Sequence, residues 1–480
     1  MPLPDLIEMM PLEKPAGAVV TVPGSKSITN RALILAALAE SRTELEGALW
    51  SEDTQVMVEA LQKLGFEIEV RADPNEPCNR NILVRGLGGR ISKGGTEDHP
   101  LELFVGNAGT AARFLAALVC LGQGAYRLHG VVRMHERPQA ALFGALRELG
   151  YRIETENDKL PAVIHGHGPR PASCSVSLKE SSQFASALLL CAQAGNWSVR
   201  IEGDDAEEAP YVEMTRQMIA TFPQCGGAFA VEPDASSGSY FWAAGWLYPV
   251  RSPRPVGDER PAPSFEGEPS RPKRAAEASQ QMWECFGAPI IAGQTCEFAV
   301  PWPWPEECPS CVVRNWPKSD WQIDSQFPRY WPLPPTLSRR TQLGDSIMTA
   351  VVLAPLGPRP VRFTDLGRLR VQECERVAAL RTELTKCGAE VFEQGDELRV
   401  LPSRLHGAEI ATYHDHRMAM CFAILGLKVP GIRLKNPACV KKTFPNFFQK
   451  MAVPPPRGLG AEILDAATRR PLKLAELFAE

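Results

Sequence analysis

Four segments of this sequence join a short polar or glycine-rich run directly to an apolar helical run. They are Pro23-Gly24-Ser25-Lys26-Ser27 before ITNRALILAALA, Gly106-Asn107-Ala108-Gly109-Thr110 before AARFLAALVCLG, Ser181-Ser182-Gln183 before FASALLLCAQA, and Asp415-His416-Arg417 before MAMCFAILGL. A helix start presents N–H groups without intrahelical partners and a partial positive charge, and both favour an anion. Cations accompany three of these starts: Lys26 with Arg31, Arg113, and Arg417. Two more stand in short motifs of their own, Arg137 in HERP and Lys442 in VKKTFP. Gly109 lets a ligand approach the backbone closely. One such start is ordinarily a cap, and one arginine is ordinarily a solvated charge. Four of them with these cations imply a cleft for one or two phosphorylated small molecules. Neither the Walker spacing nor GxGxxG occurs, so ordinary nucleotide folds are not supported.

Two carboxylates stand near this chemistry. Asp345 lies in LGDSIMTAVVLA, at the mouth of another apolar run. Glu373 lies in RLRVQECERVAALRTEL, close to Arg368, Arg370 and Arg376. A carboxylate among cations is most often a structural ion pair. Beside an anion-binding cleft it is also a candidate acid or base.

The elements that must position these groups alternate between helix and strand. Residues 60–70 (ALQKLGFEIEV) and 145–155 (ALRELGYRIET) each read as the end of an amphipathic helix, a glycine suited to the left-handed position after it, and an alternating strand. Residues 380–391 repeat the theme with a one-residue shift, and 215–232 form a looser fourth copy. The first two copies are 85 residues apart, too far for a solenoid, and point to duplicated α/β units.

Composition bounds the reading. The 480 residues are 44% hydrophobic and 22% charged, as in a globular protein with large cores and, on a prior of ~150 residues each, about three domains. The net charge of −4, from 52 Lys+Arg against 56 Asp+Glu, argues against a generally basic nucleic-acid binder. No apolar run is long enough to span a membrane, and the acidic start MPLPDLIEMMPLEKP is not a secretory signal. The 13 cysteines are an odd number and sit mostly in apolar runs, such as Cys120, Cys191 and Cys421, as expected of reduced thiols in a reducing compartment. Cys308-Pro-Ser-Cys311 has metal-ligand spacing, but Cys285 and Cys296 lie apart in proline-rich sequence, and no metal is expected. Residues 247–335 hold 17 of the 43 prolines and six of the ten tryptophans. The stretch 251–274, with RSPRP, reads as a loosely packed insertion, while tryptophans in 282–335 imply packing on the body.

PGSKSITNRALILAALA, GNAGTAARF, HERP, SSQFASALL, PDASSGSYF, LGDSIMTA, DHRMAM and KKTFPNFF, in this order, resemble the motifs of the enolpyruvyl transferases, and among them the EPSP synthase family. The resemblance covers roughly 14–245 and 320–452. It implies an α/β fold: a two-domain inside-out α/β barrel of repeated βαβαββ-type units, helices inside and sheets outside. One domain would hold 22–234. The other would hold 1–21 plus 235–480, with the proline-rich insertion at about 247–320.

It also implies a reaction. Phosphoenolpyruvate and shikimate 3-phosphate would give 5-enolpyruvylshikimate 3-phosphate and phosphate by addition and elimination, in the pathway to chorismate and aromatic amino acids. No metal or cofactor, nucleic acid or membrane would take part; the protein would be a cytoplasmic monomer. Matched residue by residue, Lys26, Asn107, Gly109, Arg137, Gln183, Arg376, Arg417 and Lys442 would hold phosphoenolpyruvate. Lys26, Ser27, Arg31, Ser181, Ser182, Gln183, Tyr211, Asp345, Arg368 and Gln372 would hold shikimate 3-phosphate. Asp345 would take the hydroxyl proton and Glu373 would handle the proton at C3, with Lys26 sharing in proton transfer. Arg113 and His416 match further pocket residues.

The sequence departs from the family pattern at Gln372, where a lysine is usual, at Arg368, where asparagine is usual, and at Glu208, three residues before Tyr211, where serine is usual. Phe114 replaces a frequent proline. Arg368 is expected to supply the charge missing at Gln372. Two other readings are a homologue that binds phosphorylated ligands without catalysis and the sister transferase acting on UDP-N-acetylglucosamine. The pair Lys26-Ser27 and the absence of a cysteine in VVRMHERP argue against the second.

Overall fold

The computed structural model describes residues 3–178, 181–202, 209–251 and 307–479. All four helix–glycine–strand passages form. The helices Glu52–Lys63, Ala140–Glu148, Ala209–Thr221 and Arg376–Lys386 lead to the strands Glu67–Ala72, Arg152–Thr155, Gly227–Ala230 and Val391–Gln394. Between them Gly65, Gly150, Gly226 and Gly388 have φ of 96°, 86°, 94° and 88°, where a side chain would strain the backbone.

These strands belong to four-stranded sheets of one pattern. Across the sheets the orders are Gly227–Ala230, Arg42–Leu49, Asn79–Arg85, Glu67–Ala72; Leu101–Phe104, Gln123–His129, Ala162–His167, Arg152–Thr155; Thr336–Ser338, Val361–Thr364, Glu397–Val400, Val391–Gln394; and Glu409–Ala411, Ile432–Lys435, Leu6–Met9, Ile463–Asp465. In each, the first pair is parallel and the next two are antiparallel. The last sheet takes a strand from near the start of the sequence, with Ile7 opposite Leu434.

The apolar residues form two cores. One runs from Ile28 to Val231, around the helices Lys26–Leu38, Gly109–Val119 and Ser182–Gly195. The other gathers Leu3–Val22 with Tyr240–Ala479, around Ala235–Leu247, Ile347–Leu353 and His416–Gly426. These helices are apolar on nearly every side, which only burial satisfies. Between the cores the buried carboxylate of Glu76 accepts from Thr21 Oγ1 at 2.7 Å, Asn446 Nδ2 at 2.8 Å and Lys450 Nζ at 2.7 Å. A buried charge with three donors fixes how the two halves meet.

Much of the proline-rich stretch, including RSPRP beyond Arg251, Cys285, Cys296 and the side chain of Cys308, lies outside the described residues, as does Glu208. Its later part is built in. Cys311–Val313 pairs in parallel with Ala18–Val20, Trp316 meets Trp242 edge-on, and Trp331 stacks on Trp246. Cys120, Cys191 and Cys421 are free and buried, and burial pushes the Cys421 thiol up to about 12. Among the described residues, no helix is long and apolar enough to cross a membrane.

Candidate active site

The four helix starts do not behave alike. Ser181 and Asp415 are caps: Ser181 Oγ accepts from the Gln183 N–H at 3.2 Å and Asp415 Oδ1 from the Arg417 N–H at 2.8 Å. Ser25 and Ala108 make no side-chain cap, so the first turns at Lys26 and Gly109 keep N–H groups for other partners. Both uncapped starts belong to the first core, and the cations around them come from both cores.

Charged groups remote in sequence gather in one cluster. Lys26 Nζ meets Asp53 Oδ2 at 3.1 Å. Glu373 lies between Lys442, whose Nζ reaches Oε1 at 3.0 Å, and Arg376, whose Nη2 reaches Oε2 at 2.8 Å. Arg376 is almost wholly buried and also donates Nε to Asp415 Oδ2 at 2.7 Å, Nη1 to Asp345 Oδ2 at 3.5 Å, and Nη1 to Gln372 Oε1. Asp345 Oδ2 faces Arg417 Nε at 3.3 Å, and Asp345 Oδ1 accepts from Arg339 Nη2 at 3.0 Å. Arg417 further donates to Ser236 Oγ.

The electrostatics follow from this crowding. Burial works to raise Glu373, but the charges of Lys442, Arg376 and Lys26 together hold it well below the usual carboxylate range. Burial likewise opposes ionisation of Asp345, and Arg417, Arg339 and Arg376 overcome it. Burial drives His416 well below the ordinary histidine value despite Glu373, so its ring is neutral, and neither ring nitrogen has a hydrogen-bond partner. Burial also lowers Arg113 well below its ordinary value, and the charges of Arg137 and Arg368 add to this. Arg368, from the second half of the sequence, therefore lies within electrostatic reach of Arg113.

A second group lines the first core. Arg31 is buried, donating Nε to Thr215 Oγ1 at 2.8 Å, Nη2 to Ser186 Oγ at 3.0 Å, and Nη1 to the Ser27 carbonyl at 2.9 Å. Burial lowers it to about 10, against the pull of Tyr211. Gln183 Nε2 donates to Thr110 Oγ1 at 3.4 Å, tying the Ser181–Ser182 start to the Gly109 start. Arg137 Nη1 donates to the Asn107 carbonyl at 3.3 Å. Phe114 is buried under the Arg31 guanidinium, 5.4 Å from its ring centre.

Lys26, Arg137, Glu373, Arg376, Arg417, Lys442 and Asp345 thus share one field. Gln372 accepts from Arg376 through Oε1. Three members escaped the motif reading. Asp53 follows Ser51 at the start of Glu52–Lys63, where it reads as an ordinary first-turn acid. Asp415 reads as a cap, which it also is. Arg339 stands beside Arg340 with nothing in sequence to separate them.

Solved structures share this fold. EPSP synthase from Acinetobacter baumannii matches with a TM-score of 0.63 at 19% identity, over 96% of this chain and 100% of that one. An enolpyruvyl transferase from Streptomyces tendae matches with a TM-score of 0.57 at 16% identity, over 95% and 98%. The fold is that of the enolpyruvyl transferase structures. At the level of sequence, the family described as EPSP synthase (3-phosphoshikimate 1-carboxyvinyltransferase) matches residues 12–224 and 335–451. The 3-phosphoshikimate 1-carboxyvinyltransferase of Nostoc punctiforme is 33% identical over 467 residues, 93% of this chain and 98% of that protein. That of Laribacter hongkongensis is 37% identical over 460 residues, 90% and 96%. The chain belongs to the EPSP synthase family.

Proposed function

We infer that this chain transfers the enolpyruvyl group of phosphoenolpyruvate to the 5-hydroxyl of shikimate 3-phosphate, releasing phosphate and 5-enolpyruvylshikimate 3-phosphate. The observation that carries this is the Lys442–Glu373–Arg376–Asp345 chain of contacts, cations from distant segments held together by carboxylates. A small, highly charged anion can replace those carboxylates as the cations' partner and be desolvated without losing its counter-charges.

Lys26, Asn107, Gly109, Arg137, Gln183, Arg376, Arg417 and Lys442 hold phosphoenolpyruvate in this reading. Ser27, Arg31, Ser181, Ser182, Tyr211, Arg368 and Gln372, with Lys26, Gln183 and Asp345, hold the acceptor. The hydroxyl oxygen adds to C2 as its proton passes to Asp345, and C3 takes a proton from Glu373. The C2–O bond to phosphate then breaks, C3 returns its proton to Glu373, and the proton from the hydroxyl leaves with phosphate. Glu373 rests ionised, so it must first gain a proton. Phosphoenolpyruvate drawing Lys442 and Arg376 onto itself would raise its proton affinity at that moment. The two cores act as domains 22–234 and 1–21 plus 235–480 of an inside-out barrel, closing to exclude water.

The direct test is phosphate release from phosphoenolpyruvate. Release that requires shikimate 3-phosphate is expected; none with it, or release with UDP-N-acetylglucosamine instead, would end this reading.

Two substitutions probe the ligand assignments. A Cβ at Gly109 would come within 2.6 Å of Arg113 Nη1 and Arg137 Nη2. These are side-chain tips, so Gly109→Ala should fold normally while displacing the guanidiniums, raising the KM for phosphoenolpyruvate by roughly tenfold. An unchanged KM would remove Gly109 from that site. Arg368→Ala should raise the KM for shikimate 3-phosphate roughly three- to tenfold, the loss of one charge-assisted contact. An unchanged KM would mean that Arg368 does not compensate for Gln372.

A further inference from the structure

Arg339 lies outside every motif above, yet it touches the carboxylate assigned to the hydroxyl proton. Ser338 through Leu343 make one wide turn, in which Ser338 Oγ accepts from the Thr341 N–H at 3.1 Å and the Ser338 N–H donates to Gln342 Oε1 at 2.7 Å. Gly344, at φ 55°, then redirects the chain so that Arg339 faces Asp345. Its guanidinium is only 3% exposed and gives Nη2 to Oδ1 at 3.0 Å. The opposite oxygen, Oδ2, has the longer contacts, 3.3 Å to Arg417 and 3.5 Å to Arg376. The two oxygens of one carboxylate are therefore held by different kinds of partner. Oδ1 has an arginine of its own turn, while Oδ2 has two arginines that the reading above gives to phosphoenolpyruvate. Behind the same turn the Asp324 carboxylate accepts from the Ser346 N–H at 2.6 Å. Arg339, Arg376, Arg417 and Asp324 are the charged groups facing Asp345.

We propose that Arg339 is a positioning residue for the transfer: it clamps Oδ1 of Asp345, so that Oδ2 alone turns to the acceptor hydroxyl when Arg376 and Arg417 engage phosphoenolpyruvate. The proposal rests on Asp345 as the proton acceptor. Once two of its three cations are occupied by substrate, Asp345 keeps one full counter-charge, and Arg339 supplies it. This keeps the carboxylate ionised beside Asp324, whose own carboxyl burial and Asp345 push up to about 6. Without Arg339 the proton affinity of Asp345 rises. The ionised form is the active one, so activity is lost sooner as pH falls.

The experiment is the pH profile of kcat with both substrates saturating, for wild type, Arg339→Gln and Arg339→Lys, with Asp345→Asn alongside. Arg339→Gln should move the acid limb upward by about one pH unit relative to wild type, since one charged neighbour commonly shifts a carboxylate by one to three units. Its kcat should fall roughly tenfold near neutrality while the KM for phosphoenolpyruvate stays within about twofold, the mark of an interaction realised only in the transition state. Arg339→Lys, which keeps the charge, should restore the limb. If the amide variant does not fold, Arg339→Met supplies the same comparison. A limb at the wild-type position in the neutral variants overturns the proposal, because a merely structural loss lowers kcat at every pH alike. A raised KM with an unmoved limb also overturns it, making Arg339 a substrate ligand. Near-normal turnover by Asp345→Asn removes Asp345 from the mechanism and the proposal with it. A wild type without release dependent on shikimate 3-phosphate ends the functional reading itself.

Discussion

Glu373→Gln is expected to lower phosphate release dependent on shikimate 3-phosphate by roughly two to four decades, the range for losing a general acid–base. The KM for phosphoenolpyruvate should not rise. In the resting site Glu373 is an ionised partner of Lys442 and Arg376, so it competes with the substrate for both cations. The amide keeps the shape, still offers an oxygen to Lys442, and turns an NH₂ group toward the Arg376 guanidinium, a donor against donors. That releases Arg376 to the ligand, so ground-state binding is preserved or tightened. What the amide cannot do is give a proton to C3 and take it back. Steady-state kcat and KM for the two proteins decide the matter. A kcat within about threefold of wild type would remove Glu373 from proton transfer and leave it an ion-pair residue.

The same competition explains what could be read from sequence. Lys26 and Arg417 were legible because helix starts announce themselves locally: a polar run, a glycine or small residue, then apolar residues without interruption; Arg137 and Lys442 stood out in short motifs of their own, and Arg376 beside Glu373. Lys26, Arg137, Arg376, Arg417 and Lys442 all reach the cluster. The passages through Gly65, Gly150, Gly226 and Gly388 were legible for the same reason, since a left-handed glycine after a helix is a local event. Their counter-charges were not. Asp53 meets Lys26 across 27 residues and Asp415 meets Arg376 across 39, and no local pattern encodes such pairings. Arg339 and Arg340 look identical until a wide turn presents one of them to Asp345. Strand pairing hid equally well. Cys311–Val313 is too short to show alternation, and prolines on either side made it read as insertion rather than as the parallel partner of Ala18–Val20.

Arg376→Met should be more damaging than any other single change in the site, in stability as well as turnover. The guanidinium is 1% exposed and bonds Asp415, Glu373, Asp345 and Gln372. Asp415 is fully buried, so removing its cation strands a charge, which typically costs about 3–5 kcal/mol. The pH dependence has a definite sign. Glu373 and Asp345 are held below their ordinary values in the folded protein, with Arg376 among the causes. Such groups stabilise the fold above their unfolded pKa, near 4, and that contribution fades as pH falls toward the folded value. Arg376→Met relaxes both depressions and so forfeits stability that exists mainly at neutral pH. The gap between wild type and variant should be widest near pH 7 and narrow below pH ~4, where both carboxylates gain protons. Denaturant unfolding at several pH values measures the gap. A difference that is constant with pH would mean that Arg376 acts through packing alone. Turnover should fall by at least about three decades, because the same cation is asked to serve substrate and both reacting carboxylates. A variant of Arg376 retaining wild-type kcat/KM for phosphoenolpyruvate would show that the carboxylate cluster, however tightly bound, is not where the chemistry occurs.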